Sequence, residues 1–152
     1  MAQFKSHTKE VQQKRDYRSA SQGVGFHVSL STTTALGEHQ IVVFDTIVTN
    51  YGNGYDSRHG HFTAPVSGLY AFAITILSNK NESSIHAAII RDGHIVGVAF
   101  GNGYEYDSAT KLVVLRLQAG QMVWVEHYLD RPGYQLYGNN ESTFSGFLIS
   151  AY

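Results

Sequence analysis

There is no cysteine in the chain, so no disulfide holds it together and no thiol acts as nucleophile or metal ligand. At 152 residues it needs no such staple. A domain near that size buries roughly 68–70% of the surface its unfolded chain exposes. The lack of cysteine leaves the compartment open, because secreted proteins can manage without disulfides and cytosolic ones usually do. No apolar run approaches the roughly 20 residues of a membrane helix, so no membrane insertion is expected. Residues Met1 to Arg18 are polar and lack an apolar segment, so no signal peptide is read in this chain. Nowhere in the body does an apolar period of about 3.6 persist long enough for a helix.

Catalytic patterns are missing as well. The chain has no Gly-x-Ser-x-Gly elbow, no phosphate-cradling Gly-x-x-x-x-Gly-Lys run and no His-Glu-x-x-His. Its carboxylates are scattered over turns rather than paired. A binding module is expected, not an enzyme.

Net charge of −1 conceals an asymmetry. Residues 1–22 carry five Lys/Arg against two Asp/Glu, whereas the following 130 carry six against ten. Residues 1–22 read as a flexible basic arm, with Phe4 and Val11 too few to make a coiled-coil stalk. An acidic body gives no electrostatic footprint for nucleic acid.

From Val24 onward, apolar and aromatic residues alternate or run for short stretches, punctuated by Gly, Asn, Asp and Pro. Strands are expected near 24–31, 40–49, 61–64, 68–78, 84–91, 94–100, 108–118, 121–129 and 143–150. Asp92-Gly93, set between two apolar runs, is a hairpin signal, and Ala119-Gly120 serves similarly. Many short strands at this spacing mean an all-β sandwich or barrel. Several are apolar on both faces. In Leu69–Leu77, one face carries Leu69, Ala71, Ala73 and Leu77, and the other Tyr70, Phe72, Ile74 and Ile76. Met122 and Trp124 similarly oppose Val123 and Val125. A sheet with one wet face alternates cleanly with polar residues, so the second face needs a cover, either a loop or another subunit.

Two loops echo one another, Tyr51-Gly52-Asn53-Gly54-Tyr55-Asp56 and Gly101-Asn102-Gly103-Tyr104-Glu105-Tyr106-Asp107, and Tyr134–Asn140 is also rich in Tyr and Asn. Turn formation accounts for Asn and Gly, but not for the concentration of Tyr and acids. Rings for stacking beside amides and carboxylates suit a sugar, so Tyr51, Asn53, Tyr55, Asp56, Asn102, Tyr104, Glu105, Asp107 and Tyr134 are ligand candidates. Arg58 and Arg131 would add charge-assisted bonds to anionic groups. These loops are expected to form one shallow site. His59 and His61 flank Gly60 and read either as a polar edge or as a transition-metal pair. Asn81-Glu82-Ser83 and Asn140-Glu141-Ser142 are N-glycosylation sequons.

One spaced set is more specific. Phe44, Asn50, Tyr55, Phe62 and Gly68-Leu69-Tyr70-Ala71-Phe72 stand at the spacing of the signature of the complement C1q globular-head family, with Ile74 where that pattern ends on an aromatic. Phe26-His27-Val28, Gly60–Pro65, Leu115-Arg116-Leu117, Val123-Trp124-Val125 and Ser142–Leu148 resemble further segments of the same family. The resemblance covers roughly 23–152, after the arm of 1–22.

The resemblance implies a ten-stranded antiparallel jelly-roll sandwich shared with tumour necrosis factor, assembled as a homotrimer, which would cover the doubly apolar strands. It implies secretion, and a recognition module for microbial surface glycans or anionic polymers in innate immunity. A cytokine-like or organiser ligand for a protein receptor, or a His-mediated metal-binding or matrix protein, are the alternatives. Some relatives hold calcium near the apex. Here Asp107 matches one such position and Glu105 lies beside it. One carboxylate is a poor site for an ion that takes six to eight oxygens, so no cofactor is expected to be required.

Overall fold

The computed structural model describes residues 23–79, 84–102, 106–128 and 134–152. The arm of 1–22 lies outside the described residues. Among the described residues all regular structure is strand. In chain order these are β1 (Gly25–Ser29), β2 (Thr34–Leu36), β3 (Thr46–Tyr51), β4 (Tyr55–Asp56), β5 (His61–Thr63) and β6 (Gly68–Leu77). The second half supplies β7 (Ile85–Arg91), β8 (His94–Gly101), β9 (Ser108–Leu117), β10 (Met122–His127), β11 (Tyr134–Leu136) and β12 (Thr143–Ala151).

Ten of them form two five-stranded sheets, in the orders β3-β1-β12-β6-β9 and β4-β5-β10-β7-β8. The remaining two, β2 and β11, pair as a separate ribbon. All the pairings are antiparallel. The β7–β8 hairpin turns at Asp92-Gly93, both at positive φ (45° and 86°), as a tight two-residue turn between twisted strands requires.

The expected strand 40–49 is not one strand. Its first part lies along β10: Val42 N donates to Val125 O at 2.8 Å, His127 N donates to Gln40 O at 2.9 Å, and Ile41 bridges Glu126. Its last part enters the other sheet as β3. The chain changes sheets at 43–45, and Val42 and Phe44 stay buried through the crossing. A period-two pattern survives such a corner because both sheets bury the same side of the chain. The short β2, β4 and β11 were not anticipated.

Aromatic rings join the two sheets. Phe26 of β1 stacks on Tyr55 of β4 at 5.3 Å and on Phe62 of β5 at 4.9 Å, and meets Phe144 of β12 edge-on at 4.9 Å. Tyr70, Phe72, Ile74 and Ile76, the inward face of β6, are fully buried. Gly146 gives these rings room: a Cβ there would lie 2.5 Å from Phe72 Cδ1 and 2.6 Å from Phe26 Cε1.

The outward face of the first sheet is apolar through its middle. Cross-strand register places Val114, Ala71, Phe147, Gly25 and Tyr51 in one row, and Leu112, Ala73, Ser145, His27 and Thr49 in the next. Leu112 (63%), Val114 (55%) and Phe147 (54%) remain exposed in the single chain. Of the two face-to-face alternations expected, β6 therefore shows both: a core side and a side that the chain itself does not cover.

Gly146→Ala is expected to cost about 1–3 kcal/mol, because an added methyl in a packed core forces rings and backbone to shift. Equilibrium denaturation with urea checks this as a lowered midpoint with an unchanged slope.

Candidate functional site

The ten residues of β6 set the two ends of the sandwich. Gly68 pairs with Leu117 and Ala151 at the base, and Leu77 pairs with Ser108 at the apex. At about 3.3 Å per residue, those ends stand roughly 30 Å apart.

Two of the three candidate loops meet at the apex. Asp107 closes the β8–β9 connection: its Oδ2 accepts from Asn102 N at 2.6 Å, and its carbonyl accepts from Ser78 N at 2.9 Å. Tyr106 is thereby held at φ 62° with a half-exposed ring. That ring meets Tyr137 edge-on at 5.0 Å. Tyr137 is fixed from behind, where its N donates to Leu77 O at 2.8 Å and its carbonyl accepts from Ser142 Oγ at 2.6 Å. Beside them Asn79 Nδ2 donates to Gln135 Oε1 at 2.6 Å. The apex thus presents two rings inclined at 66° next to amides and a carboxylate, on backbone pinned by strand ends. Apolar C–H faces and hydroxyl groups on one small ligand suit such a surface. Tyr134 joins β11 here through its backbone pairing with Leu36. Tyr104, Glu105 and Arg131 lie outside the described residues.

The third loop is elsewhere. Tyr51 pairs with Gly25 in the row of Ala71, about 20 Å along the sheet from Leu77, and the Gly52-Asn53 turn lies beyond it toward the base. The echoing loops therefore do not form one site within a chain. Tyr55 departs furthest from expectation. It is 4% exposed, stacks on Phe26 and donates its hydroxyl to Phe44 O at 2.7 Å. Burial drives its hydroxyl well above the usual tyrosine range. It is a core residue with no face for a ligand. Asn50 secures it, accepting from Tyr55 N at 3.1 Å and donating Nδ2 to Tyr55 O at 2.9 Å. That pair of bonds explains the Asn50–Tyr55 spacing.

Asp56 is exposed and busy. Its Oδ1 accepts from Arg58 N at 2.8 Å, and its Oδ2 meets His59 Nδ1 at 2.7 Å. The His59 bond, then the Arg58 backbone bond, lower its carboxyl below the ordinary range. Asn53 and Arg58 are exposed beside it. Tyr51 instead lines a groove at the base with Val66, Leu148, Ile149 and Tyr152. The His59 and His61 rings lie nearly parallel at 6.3 Å, and His61 meets Trp124 edge-on at 5.2 Å. Among the described residues, no three His, Asp or Glu side chains are gathered as a metal site requires.

The C1q domain model matches residues 25–149. This chain belongs to the C1q domain family. Human and mouse complement C1q tumor necrosis factor-related protein 3 are each 30% identical to it over 132 residues. The match takes in 83% of this chain and 51% of each relative, so the chain spans about half their length. The globular domain of zebrafish complement 1qA superposes with a TM-score of 0.70 at 22% identity, covering 85% of this chain and 99% of that one. Murine APRIL (0.65, 18%, covering 83% and 98%) and Eiger TNF from S. frugiperda (0.67, 11%, covering 86% and 93%) share the fold. The jelly roll read from the sequence is thus the fold of this C1q domain.

Trimeric assembly is typical of C1q domains, and members are ligand- or receptor-binding modules rather than enzymes. C1q/TNF-related homologues are secreted. Among the described residues no helix is long and apolar enough to cross a membrane. Beyond the loops, the outward face of the second sheet of this C1q domain carries aromatic residues that loop reasoning passed over. His86 packs 4.2 Å from Phe100 and 6.2 Å from Tyr128, and Trp124 Nε1 donates to Glu126 Oε1 at 2.9 Å. The signal was present in the period-two runs of 85–101 and 122–128.

Tyr55→Phe removes the partner of a buried carbonyl and is expected to cost about 1–3 kcal/mol. Thermal denaturation should show the loss, while binding of any ligand at the apex stays unchanged.

Proposed function

We propose that this C1q domain is a secreted trimeric recognition head that binds microbial surface glycans in innate immunity, through its apex. The observation that carries this reading is the Tyr106–Tyr137 pair beside Asn102 and Asp107. Rings meeting edge to face offer one stacking face and one edge, and the neighbouring amides and carboxylate supply the directional bonds that a sugar's hydroxyls exchange with water. Arg58 belongs to the turn beside Asp56 rather than the apex, so the described part of this surface suits neutral glycans better than anionic polymers.

Each site is shallow and therefore weak. Three copies in a trimer raise avidity by about 10²–10⁴ without any new contact, so polymers bind and monosaccharides compete poorly. No cofactor enters this reading: Asp107 Oδ2 accepts from Asn102 N, and one carboxylate falls well short of the six to eight oxygens calcium takes.

A second reading, a ligand for a protein receptor, is favoured by the likeness to C1q tumor necrosis factor-related protein 3. Immobilised microbial polysaccharide separates the two. The parent should bind with or without EDTA, and Tyr106→Ala and Tyr137→Ala, each still trimeric, should lose at least about fivefold in avidity, as a lost stacking contact of about 1–3 kcal/mol implies. A parent that ignores polysaccharide supports the receptor reading. Variants that bind as well as the parent contradict the apex site.

A further inference from the structure

We propose that His27 makes assembly of this domain pH-sensitive, its protonation opening the trimer as the medium acidifies. The proposal rests on the trimeric reading and on the apolar outward face of the first sheet as the surface that subunits cover.

His27 stands near the middle of that face. It projects outward from β1, half-buried, with Nδ1 2.5 Å from Ser145 Oγ. Its row contains Leu112, Ala73, Ser145 and Thr49, and the adjoining row Val114, Ala71, Phe147 and Tyr51. The elements around it face it with neutral groups: Ser145 and Phe147 from β12, Thr49 and Tyr51 from β3, Ala73 from β6 and Leu112 from β9. The five strands contain two ionised side chains, Lys111 and Arg116, both on β9 and both positive, and no carboxylate. Asp45 is near, but it accepts from Ser31 N at 2.9 Å, four residues and roughly 13 Å along the chain from His27. At physiological ionic strength that exceeds the screening length of about 8 Å.

A neutral imidazole can enter a subunit contact, since Ser145 Oγ satisfies Nδ1 in either tautomeric role. An imidazolium cannot do so cheaply, because its own chain offers it no counter-charge within that length. The free subunit, whose imidazole meets water, therefore binds more protons than the assembled one. Histidine side chains change charge between about pH 5 and 8, so the contact is at full strength at the upper end of that window and weakens as pH falls through it. Threefold symmetry multiplies the effect, because three copies must be covered at once.

Sedimentation velocity of the full chain between pH 8 and pH 5, with far-UV circular dichroism at each pH, tests this against His27→Gln. Glutamine keeps a hydrogen bond toward Ser145 and cannot take up a proton. The parent should be trimeric at pH 8 and dissociate as the pH is lowered to 5 with its strand signal intact, while His27→Gln stays trimeric to at least about one pH unit lower than the parent. A variant that dissociates where the parent does, or a parent trimer that survives at pH 5, overturns the switch. A parent that is monomeric at pH 8 overturns the assembly reading itself. Should His27→Gln fail to fold, the parent alone decides: the pH slope of its trimer dissociation constant should approach three protons per trimer, and a slope below one contradicts the proposal.

Discussion

Strand β6 is apolar on both sides, and a sandwich has only one interior. Its inward side, Tyr70, Phe72, Ile74 and Ile76, is shut away completely against Phe62, Phe144 and their neighbours. Its outward side, Leu69, Ala71 and Ala73, is shielded only by Val114, Leu112 and Phe147, which are themselves half or more exposed. At about 25 cal/mol per Å² of apolar surface, a row of such side chains left in water forfeits several kcal/mol. Patches of this kind are uncommon on monomers and mark surfaces that associate. Most other features of the molecule follow from which of these two sides a residue serves.

The sequence was legible where one strand keeps one environment along its whole length. In Phe72–Leu77 of β6 and Thr143–Gly146 of β12 buried and half-exposed residues alternate, and the turns between β7 and β8 and between β9 and β10 fall at the Gly-containing dipeptides. Legibility failed where local pattern and global path part company. Residues 40–49 alternate correctly yet serve two sheets, because the corner at 43–45 preserves which side faces in. Tyr55 sits in a run of Gly, Asn and Tyr that reads as a loop. Gly54 lets the chain dip there: a Cβ at Gly54 would lie 2.4 Å from Phe62 Cε2. The spacing from Phe44 through Asn50 to Phe62 already placed Tyr55 among core positions, and that signal outweighs the composition of the loop.

The candidate site was partly visible. Asn102 and Asp107 stand together at the apex, as their shared loop requires. Tyr106 and Tyr137 were not paired in advance, because thirty-one positions separate them and the end of β6 brings them together, Leu77 bonding Tyr137 and Ser78 bonding Asp107. The Gly52-Asn53 turn looked equivalent by composition but opens toward the base. Composition reports what a loop can bind, whereas topology decides which loops share a ligand. The proposed roles divide the surface, with one sheet face for self-association and the apex for recognition, the two ends of the sandwich being kept apart by the length of β6.

The central claim is that the outward face of the first sheet is covered by other copies of the chain. Sedimentation equilibrium at micromolar concentration and neutral pH, comparing the parent with Val114→Lys, tests it most directly. Val114 contributes nothing to the interior, so the variant should fold, and a charge in mid-face should bar contact. The account predicts a trimeric parent and a folded, monomeric variant. A monodisperse monomeric parent, or a variant that assembles as well as the parent, would contradict it.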